Sequence, residues 1–157
     1  MKRILLAGAL AAGLAFSAHG VALAGGHAAS EGLIEATSPH DVATTVEKLK
    51  AAVENAGAKV AATIDHQANA ASVGTEMPAT TLVMFGNPKV GTPLIAASRT
   101  TALDLPVRVL VYDDGGTTKL IATAPSTLVE RHGIEGADEA VKRMTGAIEK
   151  LMAAAGK

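Results

Sequence analysis

Cysteine is absent from this 157-residue sequence, and with it go disulfides, thiolate metal sites and thiol redox chemistry. Tryptophan is absent too. One tyrosine and two phenylalanines are the whole aromatic complement, too few for stacking platforms under bases or sugars. Charge lacks bias of either sign: 14 basic residues stand against 15 acidic ones, for a formal net charge of −1. A nucleic-acid partner asks for a basic face, and none is written here. There is also no serine elbow, no His-x-x-x-His pair and no cluster of carboxylates, so the usual frames for hydrolysis or metal catalysis are missing.

The one long apolar run lies at the start. Met1-Lys2-Arg3 is a short basic opening, Ile4 to Ala18 is apolar or small, and Ala22-Leu23-Ala24 is a small-x-small cleavage signal. This pattern predicts a signal peptide over 1–24, with delivery to a bacterial periplasm or the exterior and no membrane association after cleavage. The apolar part is too short and too rich in Ala and Gly to read as a spanning helix, and no cysteine follows to carry a lipid. Processing removes two positive charges, taking the formal net charge from −1 to −3. Residues 25–32 are small and polar, a flexible tail, and 33–154 have the length of a single domain.

If cleavage follows Ala24, the mature chain opens Gly25-Gly26-His27. An α-amine, two amide nitrogens and an imidazole then form a planar four-nitrogen set suited to Cu(II) or Ni(II). His27 is therefore a candidate metal ligand and Cu(II) a candidate cofactor. The competing reading is a chance histidine in a linker.

Periodicity lays out the domain. A strand is expected over Leu33 to Thr37, with Ser38-Pro39 as cap and first position of a helix. That helix carries Val42, Val46, Leu49 and Val53 at helical spacing and stops at Gly57. Lys59 to His66 reads as a strand with Val60, Ala62, Ile64 and His66 on one face. Residues 67–79 read as a short helix or loop, and Thr80 to Gly86 as a strand with two apolar faces. Thr92-Pro93 is expected to open a short helix to Ser98. Leu105 to Asp113 and Thr117 to Thr123 form a hairpin about Gly115-Gly116, since glycines accept the positive φ of such turns. Ser126 to Arg131 is a brief helix closed by Gly133. The last helix runs from about Ala137 to Ala154, with Val141, Met144, Ile148 and Leu151 as its stripe. The order specifies an α+β fold, an antiparallel sheet with two long helices on one face.

The run Phe85-Gly86-Asn87-Pro88-Lys89-Val90-Gly91-Thr92-Pro93 holds more backbone constraint than a connector needs. Together with Ile64-Asp65-His66, Leu103-Asp104-Leu105-Pro106 and Val111-Tyr112-Asp113, it resembles the family known as domain of unknown function 302. The likeness covers about residues 33 to 152. It implies a β-α-β4-α arrangement of the TATA-binding-protein-like kind and no established activity. A shared fold name implies no DNA binding, because function belongs to sites.

Candidate binding residues follow from these segments. His66, at a strand end on an apolar face, is a ligand contact or a hydrogen-bonded core histidine. Asp65 points to the opposite face and cannot orient it, so the pair is no catalytic dyad. Asn87, Lys89 and Thr92 surround a helix start, where open N–H groups suit an anion; the alternative is a tight corner with Lys89 solvated. Arg108 and Tyr112 flank Leu110 on the sheet face away from Val107, Val109 and Val111, as a pocket floor or subunit contact. Asp104 and Asp113-Asp114 read as turn residues. His66 and the loop are expected to line one small-ligand pocket. Apolar Val83, Phe85 and Leu110 are expected on an open sheet face, which predicts a homodimer. The sum is an exported, self-associating module that binds a small molecule or ion. The alternative is an enzyme using His66 with Lys89 or Arg108.

Overall fold

The structure is a computed structural model that describes residues 32–157. The expected signal peptide and the expected Cu(II) site at Gly25-Gly26-His27 lie outside the described residues. Five strands form one sheet: β1 (Leu33–Ser38), β2 (Lys59–Asp65), β3 (Thr80–Gly86), β4 (Val107–Asp114) and β5 (Thr117–Thr123). Their order is β1-β5-β4-β3-β2, and every neighbouring pair is antiparallel. The long helices α1 (Val42–Asn55) and α5 (Asp138–Ala155) share one core with the sheet. Three shorter helices fill the connections: α2 (His66–Ser72), α3 (Pro88–Ala97) and α4 (Pro125–His132). The expected α+β architecture is the one found.

Local chemistry explains the boundaries. Asp41, not Ser38, caps α1; its carboxylate accepts from the Thr44 N–H at 2.7 Å. Ser38 instead ends β1 and accepts a hydrogen bond from the buried Thr45 hydroxyl at 2.8 Å. Gly57, at φ +70°, turns the chain out of α1. Asn87 caps α3 and Pro88 takes its first turn, so the helix starts a turn before the expected Thr92-Pro93. Pro93 lies inside α3, where it withholds the N–H that would bond the Lys89 carbonyl. The β4–β5 hairpin turns through Gly115 and Gly116, both at positive φ, with the Asp113 carboxylate accepting from Gly116 N–H at 2.7 Å.

The core face of the sheet carries Val83, Phe85, Val109, Val111, Leu120 and Ala122, all buried with Leu49 and Val53 of α1 and Met144, Ile148 and Met152 of α5. Each such side chain taken fully out of water contributes roughly 1.5–3 kcal/mol. This corrects the expected open face: Val83 and Phe85 belong to the core, and only Leu110 lies on the far side. There it heads a row running Ile64, Leu82, Leu110 and Ile121 across four strands, with Met84 beside it. None of these outer residues belongs to the buried cluster.

A second correction concerns β2. Its register slips between Val60 and Ala62, so Val60 stands opposite Phe85 while Ile64 stands opposite Leu82. A one-residue bulge reverses every later side chain, which is why Val60 and Ile64 part company. His66 is no longer in the strand. It opens α2, capped by Asp65, whose carboxylate accepts from Ala68 N–H at 2.9 Å.

Candidate functional site

The signature run forms one wall of a cavity of about 580 Å³ at the end of the sheet where β3 runs into α3. Phe85 and Gly86 come from the strand, Asn87 and Pro88 from the corner, and Val90, Gly91, Thr92 and Ile95 from α3. Met144, Ala147, Ile148 and Leu151 of α5 face them. The remaining walls come from Ala56 and Ala58 beside the α1–β2 turn, Lys59 and Ala61 of β2, and Ala102, Leu105, Pro106 and Val107 before and into β4. Helical spacing at i, i+3, i+4 and i+7 puts the four α5 residues on one stripe, so the same pattern that builds the core also faces the cavity.

Polar groups here are few. Lys59 is the one charged residue that lines the cavity; Asn87 and Thr92 are the polar ones. Asn87 is already engaged: its Oδ1 accepts from Lys89 N–H at 3.0 Å and its Nδ2 donates to the Gly57 carbonyl at 3.3 Å. The next N–H groups of α3, those of Val90 and Gly91, both bond the Asn87 carbonyl. The helix start is thus closed by its own cap, and the expected anion site there is not formed. Lys89 is exposed and takes no part in the cavity wall.

Gly86 and Gly91 have no positive φ, and a Cβ on either would meet Pro106 Cβ at 3.4 Å or Leu105 Cδ1 at 3.5 Å. These are ordinary contacts. Neither backbone strain nor crowding therefore explains these two glycines. What the missing side chains leave behind is open wall.

Other expected site residues lie elsewhere. His66 follows the end of β2 that pairs with Thr81, whereas Lys59, opposite Gly86, begins it. A strand of that length separates the two by about 20 Å. His66 and the signature loop therefore do not share a pocket. Arg108 projects from the outer face, across from Met84, and its guanidinium donates to Asp104 at 3.0 Å. Tyr112 is on the same face beside Lys119. The three side chains of the enzyme reading are not assembled into one site.

Asp104 is the residue most underrated by its sequence context. It accepts from Arg108 and, at 2.8 Å, from Arg131, and its Oδ2 lies 2.7 Å from His132 Nε2. The His132 bond first, then the bond and charge of Arg131, hold its carboxyl below the usual aspartate range, against the opposing effect of burial. The Thr100 hydroxyl stands 3.1 Å from His132 Nδ1, and Ser98 donates to the His132 carbonyl at 2.9 Å. Since Nε2 faces a carboxylate, it donates to it, and Nδ1 is engaged by the Thr100 hydroxyl. With both nitrogens engaged, His132 fastens α4 to the segment that walls the cavity.

Among the described residues no group of three His, Asp or Glu side chains is placed to hold a metal, and no helix is long and apolar enough to cross a membrane.

An antiparallel sheet with one helix-covered face and a cavity at one end of it defines an α+β fold. Residues 34–151 match the family described as domain of unknown function DUF302, and the chain belongs to that family. A crystal structure of an uncharacterized conserved protein DUF302 from Bacillus stearothermophilus has the same fold, with a TM-score of 0.65 at 21% identity, covering 81% of this chain and 97% of that one. The chain is also 39% identical over 127 residues to a protein named fluoride-specific ion channel FluC 1 from Brucella suis biovar 1, covering 78% of this chain and 50% of that protein. A protein named fluoride-specific ion channel FluC 2 from Brucella melitensis biotype 1 matches at the same 39%, with 47% of its length covered. The chain spans about half the length of these curated relatives.

Proposed function

We propose that the protein is an exported, non-enzymatic module that binds a small, largely apolar molecule in the cavity at the β3–α3 corner and pairs with a second copy through its outer sheet face. The observation that carries the binding reading is the coincidence of the family's signature run with the cavity wall. A volume of about 580 Å³ is in the range of small-molecule sites, and apolar walls with few polar groups are their common form. Gly86 and Gly91 support it further, since they leave space that the fold could fill with side chains. Self-association is supported by the row Ile64, Leu82, Leu110 and Ile121 on a face the core-forming helices leave uncovered.

The channel name carried by the Brucella proteins describes chains of which this one matches half. A halide is strongly hydrated and needs a ring of donors, which these walls do not offer. Fluoride is therefore not the occupant we propose.

Native mass spectrometry of protein taken from its own host tests the binding reading. A retained small-molecule mass that disappears in Ile95→Trp, with the fold intact by circular dichroism, is the expected result. Retention of the same mass by the filled variant would place the ligand elsewhere.

A further inference from the structure

A row of side chains outside the cavity has the parts of an activated nucleophile. Thr100 is exposed, on a single helical turn at Arg99–Leu103. Its Oγ1 stands 3.1 Å from His132 Nδ1, and His132 Nε2 stands 2.7 Å from Asp104 Oδ2. A hydroxyl, a base and an orienting carboxylate, each within hydrogen-bond reach of the next, are the arrangement that turns a weak hydroxyl into a nucleophile. In the neutral imidazole, a proton on Nε2 directed at the carboxylate leaves the Nδ1 lone pair facing Thr100. The Thr100 hydrogen has a second acceptor, Ser98 Oγ at 3.1 Å, whose own hydrogen goes to the His132 carbonyl. Of the two acceptors only the imidazole is a base. Arg108 and Arg131 donate to Asp104 from its other sides. Thr92 of α3 is exposed as well, but among the described residues it bonds to no histidine.

We infer that Thr100 is a site of covalent acylation, taking the acyl group of an activated ester with His132 as the base. Oγ1 attacks the carbonyl carbon and gives its proton to Nδ1. The bond from that carbon to the leaving oxygen then breaks; the oxygen departs with the bonding pair and takes the proton from Nδ1. The imidazole ends neutral, the acyl group ends as an ester on Thr100, and nothing is oxidised or reduced. Asp104 is a positioning residue: it keeps the proton on Nε2 and stabilises the imidazolium formed between the two steps. The reaction stops there. His132 is nearly buried with Thr100 standing at its Nδ1, so an acyl group on Thr100 screens the base from the water that would release it. The event is a modification of the module, independent of what occupies the cavity.

The probe is p-nitrophenyl acetate, added to the full chain and followed by peptide mass mapping. Thr100 is expected to take an acetyl group that hydroxylamine removes, as it does from an ester and not from a lysine amide, while Thr92 stays unlabelled. Thr100→Ser should still be labelled and Thr100→Val should not. His132→Gln, with its fold intact by circular dichroism, should be labelled about a hundredfold more slowly. In Asp104→Asn the carboxamide can donate to Nε2 and move the imidazole proton to Nδ1, the wrong nitrogen for a base toward Thr100. Nitrogen NMR of His132 should show that change of tautomer together with slowed labelling. Thr100 labelled no faster than Thr92, or labelled at an unchanged rate in His132→Gln, overturns the inference. Sustained release of p-nitrophenol that is lost in Thr100→Val overturns the claim that the acyl group stays.

Discussion

His132 Nε2 lies 2.7 Å from Asp104 Oδ2 across 28 positions of chain, with the two side chains only 5% and 9% exposed. The pair joins the end of α4 to the turn ahead of β4, and Arg131 and Arg108 complete the ring of donors around one carboxylate. A carboxylate with three donors, one of them a nearly buried imidazole, is costly to remove because each partner is then left unsatisfied.

Asp104→Asn is accordingly expected to destabilise the protein by about 2 kcal/mol at neutral pH. The pH dependence has a definite sign. A carboxyl held below its ordinary value in the folded state contributes stability that is fully present above about 3.9, the unfolded value. That stability is lost as the pH falls through the folded value. Urea midpoints of the unmodified protein should therefore drop on acidification below about pH 4, and the variant should drop less. Parallel curves for the two proteins would remove Asp104 from this role.

Gly91→Ala has an outcome of opposite sign in stability and binding. The residue lies inside α3, where alanine is favoured over glycine by about 1 kcal/mol, and its new Cβ would meet Leu105 at ordinary contact distance. Thermal unfolding should move up or stay in place while ligand affinity falls, since the methyl occupies cavity wall. Unchanged affinity in Gly91→Ala, and again in Gly91→Leu, would show that the ligand does not approach α3.

The two sheet faces respond differently to substitution. Leu110→Lys on the outer face should give a folded monomer in sedimentation velocity. Val83→Ala in the core should cost about 2 kcal/mol of stability and leave assembly intact. If the unmodified protein already sediments as a monomer at micromolar concentration, the outer face is no self-association surface.

Export and copper binding are linked through one peptide bond. Cleavage after Ala24 should be read as an intact mass beginning at Gly25, and only that product should develop a Cu(II) d–d band on titration. In the precursor the Gly25 nitrogen is an amide and cannot serve as the amine ligand. Affinity should fall steeply as pH drops, because coordination displaces protons from the amine and two amides. Equal binding by His27→Ala would eliminate the site.

Legibility in the sequence followed locality. The stripe Val42, Val46, Leu49 and Val53 identified α1, and Gly115-Gly116 identified the hairpin, because both signals are complete within a few residues. The signature run was legible as unusual for the same reason. His132 and Asp104 were silent, each unremarkable alone in its own turn.

The sequence by itself determined the order of strands and helices and the exclusion of thiol chemistry. These are properties of composition and short-range period, which the chain carries before it folds. Tertiary structure decided which face each residue serves. One extra residue at the β2 bulge turns Ile64 away from the side of Val60, and neither residue's identity announces the slip. It also decided that the cavity forms between β3, α3 and α5 and excludes His66, because a strand places its two ends about 20 Å apart however similar their flanking motifs look.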